Sequence, residues 1–95
     1  MTVTSFDYGT KLTKDTSPTS IASGTAVAAF NHCSPSNTWI HYTAFLKKEN
    51  GRIHIEAVTD DANCPEKVAV KLPVPSNKNL GAVLSDVVKE LNLHS

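Results

Sequence analysis

Four titratable side chains in the middle of the chain have the types and spacing that acid–base chemistry needs. They are His41, His54, Glu56 and Asp60. If the segment that carries them is one β-hairpin, all four project from the same face and His41 lies opposite Asp60. A carboxylate in that position would orient the imidazole as a general base. No activated nucleophile accompanies the pair, so a small enzyme built on His41 and Asp60 is the third hypothesis for function.

Two aromatic residues, Trp39 and Phe45, share this face with the four titratable residues. Two interpretations are open. The aromatic rings cover a minor core, as aromatic residues on strands usually do, or they form a platform for a ligand. The first hypothesis for function is a non-enzymatic binding module that recognises another protein through the face that carries these six residues or through a sheet edge.

The dipeptide Asn50-Gly51 predicts the turn of a hairpin over residues 38–59. A two-residue type I′ turn needs a positive φ at both central positions, which Asn tolerates and Gly adopts freely. This turn places Glu49 opposite Arg52 and sorts the side chains into two faces. The face away from the candidate residues is apolar enough to be core: Ile40, Tyr42, Ala44, Leu46, Ile53, Ile55 and Ala57.

Two further segments have the alternation of strands, residues 2–8 and residues 66–74. The second ends in Pro73 and Pro75, which suit the edge of a sheet. Its inward side chains are predicted to be Val68, Val70 and Leu72.

Residues 77–91 form the clearest predicted helix, with Ser76 or Asn77 as its N-cap. Its apolar side chains recur with a period of 3.6: Leu80, Val83, Leu84, Val87, Val88 and Leu91. The predicted fold class is therefore α+β. A small antiparallel sheet of three to four strands is centred on the hairpin at 38–59, and the C-terminal amphipathic helix packs on one face of a single domain, 1–95.

Residues 19–32 fit two descriptions. Their alanines favour a helix, although Gly24 would cost about 1 kcal/mol in a helix interior. The alternative is a strand of small residues over 25–30, for which alanine is poor material. The composition favours the helix over the strand.

The two cysteines, Cys33 and Cys64, flank the open end of the predicted hairpin. A disulfide between them would close a loop of about 32 residues and stabilise the fold by about 3 to 4 kcal/mol in the chain-entropy model. Two reduced thiols are the alternative. A bridge would indicate a secreted mature form, whereas thiols are the normal state in a reducing compartment. The spacing matches no zinc signature, and we predict no metal site.

Composition narrows the classes of partner. Nine basic residues balance nine acidic ones, so no surplus of positive charge favours nucleic acid or anionic lipid. No apolar run reaches the roughly 18 to 20 residues of a membrane span, and no signal peptide is evident at the N-terminus. No cofactor fingerprint is present, so no cofactor, nucleic acid or membrane is predicted as a partner.

The stretch AVAAFNH…WIHYTAFLKKENGRIHIEAVTDD resembles one blade of the fungal and bacterial fucose-lectin propellers. Those blades share an Ala-Ala strand followed by a hairpin with a turn glycine. An Arg on the first hairpin strand and a Glu on the second bind the sugar there. The resemblance implies His41 at the place of the Arg and, through a shifted alignment, Glu56 at the place of the Glu. Carbohydrate binding through Trp39, His41 and Glu56 is therefore the second hypothesis, with a glycan as the partner.

If residues 19–32 are helical, the order helix, three strands, helix is also similar to a double-stranded-RNA-binding domain. Such domains place a basic run at the start of the last helix. Here that place is taken by Ser76-Asn77-Lys78-Asn79. Topology alone does not define a function, and neither family is assigned.

Overall fold

One antiparallel sheet of five strands forms the body of the protein. A computed structural model describes residues 5–33, 37–59 and 67–93 of the chain. The strands lie in sequence order, so each one pairs with its neighbour along the chain. The elements are β1 (Asp7–Tyr8), β2 (Thr25–Cys33), β3 (Trp39–Glu49), β4 (Arg52–Val58), β5 (Val68–Pro73) and α1 (Leu80–Leu93). The predicted small α+β fold is confirmed, and the sheet has five strands rather than three or four.

The hairpin β3–β4 has the register that its turn predicts. Glu49 pairs with Arg52, and the pairing continues in step as far as Thr43 and Val58. Asn50 and Gly51 have φ values of 52° and 76°, the positive values that a type I′ turn requires. The two faces of the hairpin are therefore sorted as the sequence indicates.

The apolar face of the hairpin is the core of the protein. Leu46 and Ile55 are fully buried there. The stripe of α1 packs into the same cluster, which contains Leu80, Val83, Leu84, Val87 and Leu91. Burying a side chain of this size stabilises a fold by about 1.5 to 3 kcal/mol. The helix lies on this face because only there does its stripe find an apolar partner.

The helix favoured for residues 19–32 is wrong, because Thr25–Cys33 is strand β2. The strand pairs with β3 along its length, and tertiary pairing outweighs the weak strand propensity of alanine. A bulge between Ala26 and Ala28 adds one residue, so Val27 and Ala28 are both buried. The bulge interrupts the alternation by which a strand is recognised in a sequence. With β2 a strand, the condition for the similarity to a double-stranded-RNA-binding domain is not met.

The N-terminal strand is shorter than predicted. Only Asp7–Tyr8 pairs with β2, and residues 1–4 lie outside the described part of the chain. The following loop contains a short 3₁₀ turn, Pro18–Ser20, and contacts the start of α1. Backbone amides of the helix donate to the loop, Leu80 to the carbonyl of Thr16 at 2.9 Å and Gly81 to that of Lys14 at 2.8 Å.

The helix begins later than predicted, at Leu80. Its cap is neither Ser76 nor Asn77. The side-chain oxygen of Asn79 accepts a hydrogen bond from the backbone amide of Ala82 at 3.0 Å, which is the geometry of an N-cap. No helix among the described residues is long and apolar enough to cross a membrane.

Strand β5 lies at the edge of the sheet, as its prolines predict. Val70 is buried and Leu72 half-buried, whereas Val68 is exposed. The register shifts between Ala57 and Val58, so Val68 pairs with Val58 and not with a residue of the core face. The predicted common face of Val68, Val70 and Leu72 is therefore wrong for Val68.

Candidate functional site

The candidate site occupies the face of the sheet opposite the core, which we call the outer face. Within the described residues the only α-helix, α1, packs on the other side. All five strands contribute side chains to the outer face, which include Asp7 of β1, Asn31 and Cys33 of β2, Trp39, His41, Thr43, Phe45 and Lys47 of β3, Arg52, His54, Glu56 and Val58 of β4, and Lys71 and Pro73 of β5. Antiparallel sheets with one face open to water usually carry polar side chains there, so the aromatic residues of this face need an explanation.

Trp39 stands at the start of β3, opposite Cys33, and is 59% exposed. A side chain of this size normally buries most of its surface. The ring of Trp39 is therefore not part of a minor core formed by the described residues. Phe45 is half-buried, between Ala26 of β2 and Glu56 of β4.

A charged cluster of Lys47, His54 and Glu56 lies near the turn of the hairpin. Nζ of Lys47 donates to Oε2 of Glu56 at 2.9 Å, and Nε2 of His54 lies 3.3 Å from the other carboxylate oxygen. Lys47 pairs across the strands with His54, so it reaches Glu56 along the diagonal. Glu56 is only 9% exposed.

The hydrogen bond from Lys47 lowers the pKa of the Glu56 carboxyl below its ordinary value. Burial raises that pKa, but the charge of Lys47 and the contact with His54 act in the same direction as the hydrogen bond. Glu56 is therefore held as a carboxylate with both oxygens engaged. A ligand could reach only the remaining lone pairs of these two oxygens, on a side chain that is nearly buried.

Five of the six predicted site residues lie in the described ranges, and they occupy two parts of the outer face, one near the turn and one near the open end of the hairpin. Phe45, His54 and Glu56 are neighbours near the turn, whereas Trp39 is six residues from Phe45 along one strand. That spacing is about 20 Å at roughly 3.4 Å per residue. His41 is exposed, lies near Trp39 and pairs with Asn31.

Asp60, the predicted partner of His41, lies outside the described residues, so the His–Asp hypothesis stays a prediction. Cys64 also lies outside them. The Sγ of Cys33 lies 3.5 Å from the side-chain oxygen of Asn37, at the open end of the hairpin. The disulfide remains a prediction that a thiol titration would test.

Sequence reasoning missed the environment of His32. This residue is 4% exposed on the core face, and neither ring nitrogen has a hydrogen-bond partner among the described residues. Its ring meets the edge of Tyr42, with centroids 6.5 Å apart. Burial lowers the pKa of His32. The sequence could have predicted the burial of His32 only if its segment had been recognised as a strand. On a strand, His32 lies on the same face as Phe30.

Metal ligands do not gather in the described ranges: no group of three His, Cys, Asp or Glu side chains there could hold an ion. Comparisons of the chain with protein-family models, with curated proteins and with solved structures found no match.

Proposed function

We propose that this protein is a small non-enzymatic binding module that recognises another protein through the outer face of its sheet. The observation that carries the proposal is the 59% exposure of Trp39 at the start of strand β3. Tryptophan is enriched among the residues that dominate binding energy at protein interfaces. A strand presents it with little conformational freedom to lose on binding.

The composition of the outer face supports the same function. Half-buried Phe45 and Val58 lie on this face between Trp39 at one end and Lys47 and His54 at the other, and exposed His41 lies near Trp39. The face therefore mixes apolar and polar groups, as protein interfaces do. The protein measures 36 by 25 Å in its two longer directions, which leaves room for the roughly 800 Å² that each partner contributes to a standard interface.

Site-specific photo-cross-linking tests the proposal. A benzophenone amino acid replaces Trp39 in one protein and Leu93 in another. Leu93 is 77% exposed at the end of α1, so it is a matched apolar position away from the outer face. In cells of the source organism, position 39 should cross-link a defined protein that position 93 does not. The purified partner should bind the wild type and lose affinity by at least about tenfold with Trp39→Ser, since interface tryptophans are often worth 2 kcal/mol or more.

Two results would count against the proposal. One is the same set of cross-linked proteins from both positions, which would indicate non-specific contact. The other is an identified partner whose affinity is unchanged by Trp39→Ser. The variant itself should fold normally, because substitutions of exposed side chains usually change stability by less than about 0.5 kcal/mol.

Carbohydrate binding is the second candidate, and the exposed ring of Trp39 favours it as a stacking surface. The roughly 20 Å between Trp39 and Glu56 is too far for one monosaccharide to touch both, so His41 would have to supply the polar contacts. A glycan array separates the two candidates. A sugar that binds the wild type but not Trp39→Ser would favour this function, and an array without a bound glycan would eliminate it.

A further inference from the structure

A cavity of about 690 Å³ opens at the turn end of the hairpin, between β4 and β5. Its volume lies within the roughly 300 to 1,000 Å³ typical of ligand sites. The residues that matter for its chemistry are Arg52, His54, Lys71, Leu72, Pro73 and Glu49. The cavity is at the opposite end of β3 from Trp39, so it is separate from the aromatic part of the outer face.

No ion pair within the described residues engages the two cations of this cavity, although Glu56 faces Lys71 across the strands. Neither Arg52 nor Lys71 forms an ion pair with a residue in the ranges 5–33, 37–59 and 67–93. Lys47, one strand away, differs because Glu56 engages it at 2.9 Å. Glu49 is the one carboxylate of the lining, and it pairs with Arg52 in the register without an ion pair between them. Two cations against one carboxylate leave the lining positive.

The cavity also has an apolar side. Pro73 lines it from the outer face, which also carries the two cations, and the half-buried Ile53 and Leu72 line it from the core face. An inorganic anion would leave this surface exposed to water. A carboxylate attached to an apolar group would cover it and meet Arg52, whose guanidinium can hold a carboxylate with two parallel hydrogen bonds.

We propose that the cavity between β4 and β5 binds a carboxylate carried on an apolar body, with Arg52 and Lys71 as the anion-binding residues and Leu72 and Pro73 as the apolar contact. Such a carboxylate can belong to a small organic acid or to an acidic side chain of a peptide beside an apolar one. The site does not depend on the protein-binding function proposed above, because it does not involve Trp39.

Two-dimensional NMR titration of ¹⁵N-labelled protein tests this site with two probes. The small acid is 4-phenylbutyrate, and the peptide is a capped Gly-Glu-Leu-Glu-Gly. Each has a neutral counterpart of the same shape, 4-phenylbutyramide and the Gln-containing peptide. At least one acidic probe should shift the amide signals of residues 52–54 and 71–73, and its neutral counterpart should bind at least about three- to tenfold more weakly, as expected for partly exposed charge pairs.

Variants assign the role of each cation. Arg52→Gln and Lys71→Gln should each weaken the acidic probe by about three- to tenfold. Lys89→Gln, an exposed lysine on α1 outside this cavity, should leave binding unchanged. Trp39→Ser should also bind the probe like the wild type, whether or not the protein-binding function is correct.

The outcomes separate the sources and can overturn the proposal. Binding of phenylbutyrate alone assigns a small-molecule ligand, and binding of the peptide alone assigns an acidic protein segment. The proposal fails if neither acidic probe shifts these signals, if the neutral counterparts bind equally well, or if Lys89→Gln has the same effect as Arg52→Gln.

Discussion

Nζ of Lys47 lies 2.9 Å from Oε2 of Glu56, so the nearly buried carboxylate of the outer face has its own counter-charge. This pair changes the role expected for Glu56. The sequence places the residue on the candidate surface as a ligand-binding group, whereas the structure engages it in an intramolecular cluster with Lys47 and His54. Because Lys47 is 43% exposed, the pair is partly solvated and its net contribution is modest.

Replacement of Glu56 by Gln should lower the free energy of unfolding by about 1 kcal/mol at pH 7, because the neutral amide removes the charge that pairs with Lys47, while the exposed Lys47 can turn to water. The lowered pKa means that the folded state favours the carboxylate. The stabilisation is therefore present above the ordinary carboxyl pKa of about 4.3 and is lost as pH falls through the folded pKa. Urea unfolding of both proteins should show a larger difference at pH 7 than at pH 3. Glu49→Gln, at an exposed position with no ion pair among the described residues, is the control and should change neither curve.

His32 should make the protein less stable in mild acid. Burial lowers its pKa in the folded state, so the unfolded chain binds the proton more readily. The full stability is present above about pH 6.5, the ordinary imidazole pKa, and part of it is lost as pH falls from there towards the folded pKa.

Thermal unfolding between pH 7.5 and 5 measures this loss. His32→Leu should flatten the profile and leave the melting temperature at pH 7 equal or higher, because it removes two ring nitrogens that have no partner among the described residues. The exposed His41 provides the control, and His41→Leu should retain the slope of the wild type. A profile for His32→Leu with the wild-type slope would show that another group is responsible.

The fluorescence of Trp39 should be that of an indole in water. Trp39 is the single tryptophan of the chain, so the signal has one source. Its exposure predicts a red-shifted emission maximum and quenching by acrylamide close to that of N-acetyltryptophanamide. A blue-shifted emission that acrylamide reaches only after unfolding would show that the ring is covered and would remove the basis of the proposed interface.

Gly81→Ala should destabilise the protein although alanine is the better helix former. An added Cβ would lie 2.9 Å from the Cβ of Lys14 and 3.2 Å from its carbonyl oxygen. The loop would have to move, and the hydrogen bond from Gly81 to Lys14 would weaken. Overpacking of this kind costs about 1 to 3 kcal/mol, which exceeds the gain of about 1 kcal/mol in helix propensity.

Chemical denaturation measures this effect on Gly81→Ala and, for comparison, on Ser85→Ala, at an exposed position of the same helix. The second variant should be equal to the wild type or slightly more stable, and a stabilised Gly81→Ala would contradict the close contact.

The helix terminus and strand β2 show where sequence reasoning reached its limit. Ser76 and Asn77, the predicted caps, and Asn79 are all residue types that cap helices, and propensity does not choose among them. Asn79 caps the helix at the point where the first two amides of α1 donate to the carbonyls of Thr16 and Lys14. Those carbonyls are distant in sequence and become neighbours only when the loop folds onto the helix. Likewise, the alanines of β2 adopt a strand because β3 offers a full set of backbone partners.

Some properties of the candidate site follow from the sequence, and others depend on the tertiary structure. The sequence by itself determined the register of the hairpin, because the Asn50-Gly51 turn and a period of two are local properties of the chain. It thereby determined that Trp39, Phe45 and Glu56 share one face. The tertiary structure alone decided that Trp39 is open to solvent and that Glu56 is closed off by Lys47 and His54. Exposure and ion pairing depend on which neighbours approach from other strands and on where α1 packs, and no local pattern specifies that.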